Sequence, residues 1–165
     1  MTERESCESD WVAGTRAGAE ASAQGLADGL VAKFASKAAT VAVVGMGYVG
    51  LPLARTLHDA GLSVIGFDID PQKVRWLTEG VSYLKHLGAE LVPRLAGSAR
   101  FLASGDAAVL ARADAVILCV PTPLGRHHEP DLSYVRGSAE LVGRVLRRGQ
   151  IVSLESTSYP GTTRE

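Results

Sequence analysis

Short apolar runs alternate with helical patterns from Thr40 to the end of the chain. Five runs have the continuous, β-branched character of strands buried on both faces. The predicted strands are TVAVVG (40–45), LSVIGFD (62–68), ARFLAS (99–104), ADAVILCV (113–120) and QIVSLES (150–156). Helical patterns fall between them, at 47–60, 71–78, 89–95, 105–112 and 132–146. This alternation predicts an α/β fold: a doubly wound parallel sheet with helices on both faces.

The first part of the chain has a different pattern. Residues 1–18 are polar, small and without periodicity, so we expect a flexible tail. Residues 19–37 carry apolar side chains at nearly helical spacing and predict a short amphipathic helix. These side chains are Leu26, Leu30, Val31 and Phe34. The helix packs on the domain, packs on a partner subunit, or is a leader without a specific role. We therefore expect a tail and leader helix at 1–37 and one domain at 38–165.

Composition and charge exclude several classes of protein. The formal net charge is −1, so electrostatics give no reason to expect nucleic acid or an acidic membrane as a partner. No apolar run reaches the length of a membrane span, and the acidic N-terminus lacks the apolar core of an export signal. Cys7 and Cys119 lie far apart and indicate free thiols in a reducing cytoplasm. His127 and His128 are adjacent, which suits one metal ion poorly, so we expect a cytoplasmic protein without a metal.

A glycine motif joins the first predicted strand to the helix that follows it. In VAVVGMGYVG (41–50) the glycines have the GxGxxG spacing of a dinucleotide-binding turn. Gly45 permits the tight turn, Gly47 lets a pyrophosphate approach the backbone, and Gly50 lets the helix pack closely on the sheet. The start of the helix offers N–H groups and partial positive charge to phosphates. A plain glycine-rich turn is the alternative. The context of strand and helix favours a cofactor loop that also includes Met46, Tyr48 and Val49.

Asp68 ends the second predicted strand, 18 positions after Gly50. In a Rossmann-type fold an acidic residue at about this distance binds the adenosine ribose. Its carboxylate accepts hydrogen bonds from both ribose hydroxyls and repels a 2′-phosphate, and no arginine follows directly, so we expect NAD rather than NADP. Asp70 is a competing candidate, but it more plausibly caps the helix that begins at Pro71. Lys73 lies either near the adenine ribose or on a solvated helix face.

Five segments carry more detail than the Rossmann pattern alone explains. They are VAVVGMGYVGLPLA (41–54), GFDID (66–70), SYLKHLGAE (82–90), CVPTPLGRHHEPDLSYV (119–135) and LESTSYPGTTRE (154–165). Together they closely resemble the N-terminal domain of the UDP-glucose/GDP-mannose dehydrogenase family, across residues 38–165. Within it they are most similar to the UDP-N-acetylglucosamine 6-dehydrogenases of bacterial polysaccharide synthesis. The resemblance implies that the C6 alcohol of a UDP-sugar is oxidised to a carboxylate by two NAD⁺ in turn, through a thioester on a cysteine.

The resemblance also implies roles for residues that follow the fourth and fifth predicted strands. Thr122 matches a family threonine near the nicotinamide and a catalytic water, and Glu155 matches a glutamate that steers water at the thioester stage. We expect Glu155 to close a buried strand, where an unpaired carboxylate is costly. The alternatives are a hydroxyl that bonds the loop backbone and a carboxylate that caps a neighbouring helix. The cofactor pocket is expected to include Val120, Pro121, Ser156 and Thr157.

Another segment resembles the substrate-proximal loop of the family. It contains Tyr83, Lys85 and His86. For His86, a partly exposed loop histidine is as plausible an interpretation as contact with a phosphate. Arg126 either reaches a phosphate or is solvated.

The nucleophile is expected to lie outside this sequence. The resemblance places the thiolate in a glycine-rich segment of a later domain, which is not found here. Cys119 aligns with no nucleophile and, as a small buried hydrophobe, would be inert. We therefore expect a protein truncated before its second domain, inactive alone and weak in NAD binding, whose full-length form is a homodimer. Two rivals stay open: another two-domain NAD dehydrogenase, of hydroxyacyl-CoA or phosphogluconate type, and a non-catalytic NAD-binding or assembly module.

Overall fold

A sheet of five parallel strands forms the centre of the fold. The computed structural model of the chain describes residues 23–84, 87–123, 130–158 and 162. The strands are β1 (Thr40–Val44), β2 (Ser63–Phe67), β3 (Phe101–Ser104), β4 (Ala115–Leu118) and β5 (Ile151–Leu154). Their order is β3-β2-β1-β4-β5, and every pairing is parallel. The direction of winding reverses between β1 and β4, so the carboxyl ends of these strands border the crevice where open α/β sheets bind ligands.

Helices cover both faces of the sheet. They are α1 (23–35), α2 (Gly50–Asp59), α3 (Pro71–Glu79), α4 (Leu91–Ala96), a 3₁₀-helix (Ala107–Arg112) and α5 (Ser133–Gly143). Successive side chains of a strand point to opposite faces. Val43 of β1 accordingly packs in a cluster with Leu51 and Leu77 of α2 and α3. Val44 packs on the other face with Val142 of α5. The predicted doubly wound α/β fold is therefore confirmed.

The predicted leader helix packs on the amino ends of the strands. Phe34 of α1 contacts a core cluster formed by Ala39, Val41, Leu62 and Ala115. Lys33 donates to Oδ1 of the buried Asp114 at 2.6 Å, and Oδ2 accepts the backbone N–H of Thr40 at 2.9 Å. Arg147 approaches the same carboxylate at 3.6 Å. Of the interpretations of this helix, packing on the domain is therefore the one observed.

Local signals set the limits of several elements. Asp70 accepts the N–H of Gln72 at 2.9 Å and caps α3, as predicted. Gly80, with a φ of 73°, ends the same helix. The helical pattern at 105–112 forms a 3₁₀-helix, and α5 is shorter than the predicted 132–146.

Within the described residues, no helix has the length and apolar character that crossing a membrane requires. The predicted tail at 1–18 lies outside the described residues.

The fifth strand departs from the sequence-based expectation of burial. Ile151 and Val152, whose side chains point to opposite faces, are 51% and 43% exposed. β5 is the last strand in the order and pairs with β4 alone among the described strands. The expectation of a strand covered on both faces is therefore wrong for β5. It is also wrong for β3, the strand at the other edge, where Leu102 is 38% exposed. An apolar sequence does not distinguish an edge strand from a central one.

Candidate functional site

A cleft of about 670 Å³ opens at the carboxyl ends of the strands. Residues that follow β1, β2, β4 and β5 line it, and α3 and α5 contribute further side chains. Its volume is within the usual range for small-molecule sites. The cleft therefore lies at the switch point that the strand order predicts.

The glycine motif forms the floor of this cleft. Gly45 has a φ of +93°, and an added β-carbon would lie 2.7 Å from the carbonyl oxygen of Cys119. An added β-carbon on Gly50 would lie 1.9 Å from the carbonyl oxygen of Gly45, so helix and turn are in direct contact. At Gly47 no atom of the described residues lies within 4 Å of that position. The turn and packing roles predicted for Gly45 and Gly50 are confirmed, and Gly47 leaves the floor open.

Helix α2 begins at this floor, and its own first turn carries no anion. Val49, at its N-cap, makes no side-chain capping bond, and its first turn contains no acidic residue. Pro52 lies in that turn, where a missing N–H costs little. Partial positive charge at a helix N-terminus favours anions. The arrangement is therefore suited to a diphosphate.

Asp68 lies on the cleft wall at the end of β2 and is only 4% exposed. Its Oδ2 accepts hydrogen bonds from the Met46 N–H at 2.9 Å and from the Lys73 ammonium at 3.0 Å. Its Oδ1 accepts one from the Asp70 N–H at 3.0 Å. A carboxylate has about four acceptor positions, and three are therefore used within the chain. One ribose hydroxyl fits the remaining position, whereas both would fit only if Lys73 moved. Lys73 faces the cleft rather than a solvated helix surface.

The loops after β4 and β5 meet across the cleft. Ser156 donates from Oγ to the carbonyl oxygen of Val120 at 2.7 Å. Thr122 is half-buried and, like Pro121 and Thr157, lines the cleft. The structure thus brings together the residues that sequence reasoning placed on these two loops.

Glu155 differs from its expected environment. Its side chain is exposed, and Oε1 accepts the Ser153 hydroxyl at 2.8 Å. The expectations of a buried carboxylate and of one that caps a helix are therefore wrong, because β5 is an edge strand. Glu155 nevertheless lines the cleft. An exposed carboxylate there can accept a proton from water or from a bound alcohol.

Cys119 lines the cleft but is 8% exposed and carries a free thiol. Burial raises the pKa of this thiol to about 11, and the negative charge of Glu155 adds to the effect. A thiol with so high a pKa is almost entirely protonated at neutral pH and is a poor nucleophile. This agrees with the prediction that Cys119 is a small buried hydrophobe.

The predicted substrate-proximal segment is only partly described. Tyr83 lines the cleft and donates from its hydroxyl to the carbonyl oxygen of Met46 at 2.7 Å. Burial, and then the charges of Asp68 and Asp70, raise the pKa of Tyr83 well above its usual value. Five of the residues singled out in the sequence lie outside the described residues: Lys85, His86, Arg126, His127 and His128. Among the described residues, no group of His, Cys, Asp and Glu is arranged to hold a metal ion.

Most of the predicted cofactor residues share the cleft, and two do not reach its wall. The side chain of Met46 is fully buried, and Gly50 lies beneath the turn. The predicted residues on the wall are Gly45, Gly47, Tyr48, Val49, Asp68, Lys73, Val120, Pro121, Thr122, Ser156 and Thr157.

Some residues of the lining were not assigned to the site from the sequence, among them Ile69, Leu84, Tyr134 and Ser138. Ile69, 74% exposed, stands between two acids, and Leu84 follows Tyr83. Tyr134 and Ser138 come from the first two turns of α5. Their separation of four positions puts them on one helix face. That spacing, on a helix that follows β4, was the sequence signal from which these two residues could have been assigned to the cleft.

Comparisons with known proteins agree with this geometry. The model of the UDP-glucose/GDP-mannose dehydrogenase family, NAD binding domain, matches residues 39–165. A UDP-N-acetyl-D-glucosamine 6-dehydrogenase from Pseudomonas aeruginosa is 41% identical over 130 residues, which are 78% of this chain and 30% of that protein. A UDP-N-acetyl-D-mannosamine dehydrogenase from Escherichia coli K12 is 38% identical over 125 residues, 76% of this chain and 29% of that protein. The chain thus spans about 30% of the length of these relatives.

Solved structures show the same fold. A GDP-mannose dehydrogenase from Pseudomonas aeruginosa superposes with a TM-score of 0.71 at 28% identity, over 76% of this chain and 30% of that one. A (S)-3-hydroxybutyryl-CoA dehydrogenase from Ralstonia eutropha gives 0.51 at 20% identity, over 70% of this chain and 40% of that one. The second likeness shows a shared fold alone.

Proposed function

Because the chain belongs to the UDP-glucose/GDP-mannose dehydrogenase family, and residues 39–165 match the NAD-binding domain of that family, we propose that it binds NAD for oxidation of the C6 alcohol of a UDP-sugar to a carboxylate. The observation that carries the proposal is the pairing of a glycine-floored helix end with Asp68 in one cleft. The sugar we propose is UDP-N-acetylglucosamine, in the supply of precursors for polysaccharide synthesis. The relative at 41% identity supports this choice.

The residues of the cleft fit NAD. The turn from Gly45 and the start of α2 would hold the diphosphate, because no side chain of the described part of the chain occupies the space above Gly47. Asp68 and Lys73 would share the adenosine ribose, one accepting and one donating hydrogen bonds. A 2′-phosphate in this position would meet the carboxylates of Asp68 and Asp70, which both line the cleft. The site therefore favours NAD over NADP.

NAD, when bound, supplies the hydride acceptor, and residues at the opposite end of the cleft would organise the reacting groups. We propose that the Thr122 hydroxyl holds a water molecule there. We propose that Glu155, exposed at the cleft, accepts the proton of that water as the water attacks the thioester. The bond from Ser156 to Val120 joins the two loops that present these side chains.

The oxidation requires a thiolate, and the cysteine that the structure describes is unsuited to supply one. Cys119 is buried, and its pKa of about 11 keeps it protonated. We propose that this chain binds NAD without turnover, and that the complete enzyme is a cytoplasmic homodimer whose nucleophile comes from sequence outside these residues. The same observation favours the second candidate function, a non-catalytic NAD-binding module.

Titration calorimetry of the purified chain tests the proposal. NAD⁺ should bind, and NADP⁺ should bind at least tenfold more weakly. Asp68→Asn should weaken NAD⁺ binding about 10- to 100-fold, because hydrogen bonds to a charged group are stronger than neutral ones. Asp106→Asn is the matched control. Like Asp68, Asp106 follows a strand and accepts the backbone N–H two residues further on, but it lies outside the cleft lining.

Addition of UDP-sugars separates the candidate functions. Turnover of UDP-N-acetylglucosamine by the isolated chain would refute the claim that its nucleophile lies elsewhere. Absence of NAD⁺ binding at millimolar concentration would refute the dehydrogenase assignment of this cleft. Activity that appears only with longer forms of the protein would distinguish the enzyme from a non-catalytic module, and comparing UDP-glucose and UDP-N-acetylmannosamine there would identify the sugar.

A further inference from the structure

Side chains from outside the glycine motif hold the backbone of Met46 on both sides. Its N–H donates to Oδ2 of Asp68 at 2.9 Å, and its carbonyl oxygen accepts the hydroxyl of Tyr83 at 2.7 Å. The side chain of Met46 is fully buried, and an added β-carbon on Gly66 would lie 2.9 Å from its Cε. Met46 is therefore fixed at its amide, its carbonyl and its side chain.

The bond from Tyr83 fixes the orientation of a whole peptide group. In a planar trans peptide the N–H points opposite to the carbonyl. The peptide between Met46 and Gly47 is trans, so a Met46 carbonyl turned toward Tyr83 sets the direction of the Gly47 amide. Gly47 lines the cleft at the point where the floor is open. Tyr83 therefore controls a backbone donor of the cofactor loop from 36 positions further along the chain.

The phenol is itself held in place. Its ring stacks on Trp76 of α3, with centroids 5.5 Å apart and planes inclined by 22°. Burial, with the charges of Asp68 and Asp70, raises the pKa of Tyr83, so the hydroxyl remains protonated and able to donate at neutral pH. A donor that is held in place and protonated at neutral pH suits a structural clamp better than it suits proton transfer.

We propose that Tyr83 is a positioning residue for the cofactor loop, whose hydroxyl holds the Met46–Gly47 peptide in the orientation that receives the NAD diphosphate. This inference rests on the proposed function, and it assigns Tyr83 to the diphosphate end of the cleft rather than to the sugar. A loop ordered before the ligand arrives loses less conformational freedom on binding. The hydroxyl thus improves affinity by ordering the loop.

The substitution Tyr83→Phe tests the proposal because it keeps the ring and its stacking and removes only the hydroxyl. Ser82→Ala is the matched control. The Ser82 hydroxyl also donates to a backbone carbonyl at 2.7 Å, but to that of Ala89, away from the glycine loop. By titration calorimetry, Y83F should bind NAD⁺ and ADP-ribose about 5- to 10-fold more weakly than wild type, the effect of one hydrogen bond. S82A should bind both ligands like wild type.

Amide hydrogen exchange in the cofactor-free chain gives a second measurement. Loosening of the loop in Y83F should speed exchange at Met46 about tenfold and leave S82A unchanged. Equal NAD⁺ affinity in Y83F and wild type, or equal weakening in Y83F and S82A, would overturn the inference and leave the proposed function standing. Unchanged exchange at Met46 in Y83F would overturn it as well. Wild-type chain that fails to bind NAD⁺ would overturn the proposed function and this inference with it.

Discussion

Asp114 shows how the amino ends of the strands stabilise the fold. Its side chain is 8% exposed, and its oxygens bond the Lys33 ammonium and the Thr40 N–H. Burial alone would raise the pKa of Asp114, but the hydrogen bonds from Lys33 and Thr40 and the charge of Arg147 hold it below its usual value. A lowered pKa in the folded state means that ionised Asp114 stabilises the fold above the unfolded-state pKa. That stabilisation is lost as the pH falls through the folded-state pKa.

The substitution Asp114→Ala removes the acceptor for the part-buried backbone amide of Thr40. An unsatisfied buried amide costs about 1–3 kcal/mol. The ion pair with Lys33 adds at most about 1 kcal/mol, since the Lys33 side chain is 51% exposed. We therefore expect D114A to lower the free energy of unfolding by about 2–3 kcal/mol and the melting temperature by roughly 5–10 °C. The control Lys33→Met, which leaves the Thr40 bond intact, should cost no more than about 1 kcal/mol.

Urea unfolding followed by far-ultraviolet circular dichroism measures these differences. The gap between wild type and D114A should be constant from pH 7 to about 5 and should shrink below about pH 4, where aspartate protonates in the unfolded chain. A loss below about 0.5 kcal/mol at neutral pH would refute the role given to the Thr40 bond. A gap that stays constant to the lowest pH at which both proteins fold would refute the role given to the charge.

Three further substitutions or reactions test the cleft and its supports. Gly50→Ala would place a β-carbon 1.9 Å from the Gly45 carbonyl oxygen, so it should abolish NAD⁺ binding in calorimetry, and normal binding would contradict the packing described. Asp70→Ala removes the cap of α3 and should cost about 1 kcal/mol in urea unfolding, whereas no change would deny the cap. Because burial raises the pKa of Cys119 to about 11, iodoacetamide should alkylate it at pH 8 at least about tenfold more slowly than free cysteine; rapid labelling in peptide mass spectra would contradict this.

The parts of the fold that follow from local chemistry could be predicted from the sequence. The spacing of the glycine motif located the β1–α2 turn, because Gly45 and Gly50 each have a steric reason for lacking a β-carbon. Asp70 could be recognised as a cap because a capping bond reaches only two residues along the chain. The parallel direction of the strands followed from the alternation of elements, since parallel strands need crossovers.

Contacts between distant residues could not be predicted in the same way. The exposure of Ile151 depends on which strands lie beside β5, and an apolar run carries no such information. The bond between Lys73 and Asp68, and that between Tyr83 and Met46, depend on where loops meet in three dimensions. From the sequence, Asp68 was therefore expected to bind both ribose hydroxyls. The sequence did not show that groups of the chain itself already occupy most of its acceptor positions.

The placement of Asp114 and the glycine turn at opposite ends of the strands has a practical consequence. Strands of four or five residues separate these ends by about 13–17 Å, and substitutions so far apart usually have additive effects. Redesign of cofactor preference could therefore begin with substitutions that raise thermal stability around Phe34 and Asp114. The residues that line the cleft could then be randomised. The stability gained at the amino ends of the strands would then offset the stability lost through substitutions in the cleft.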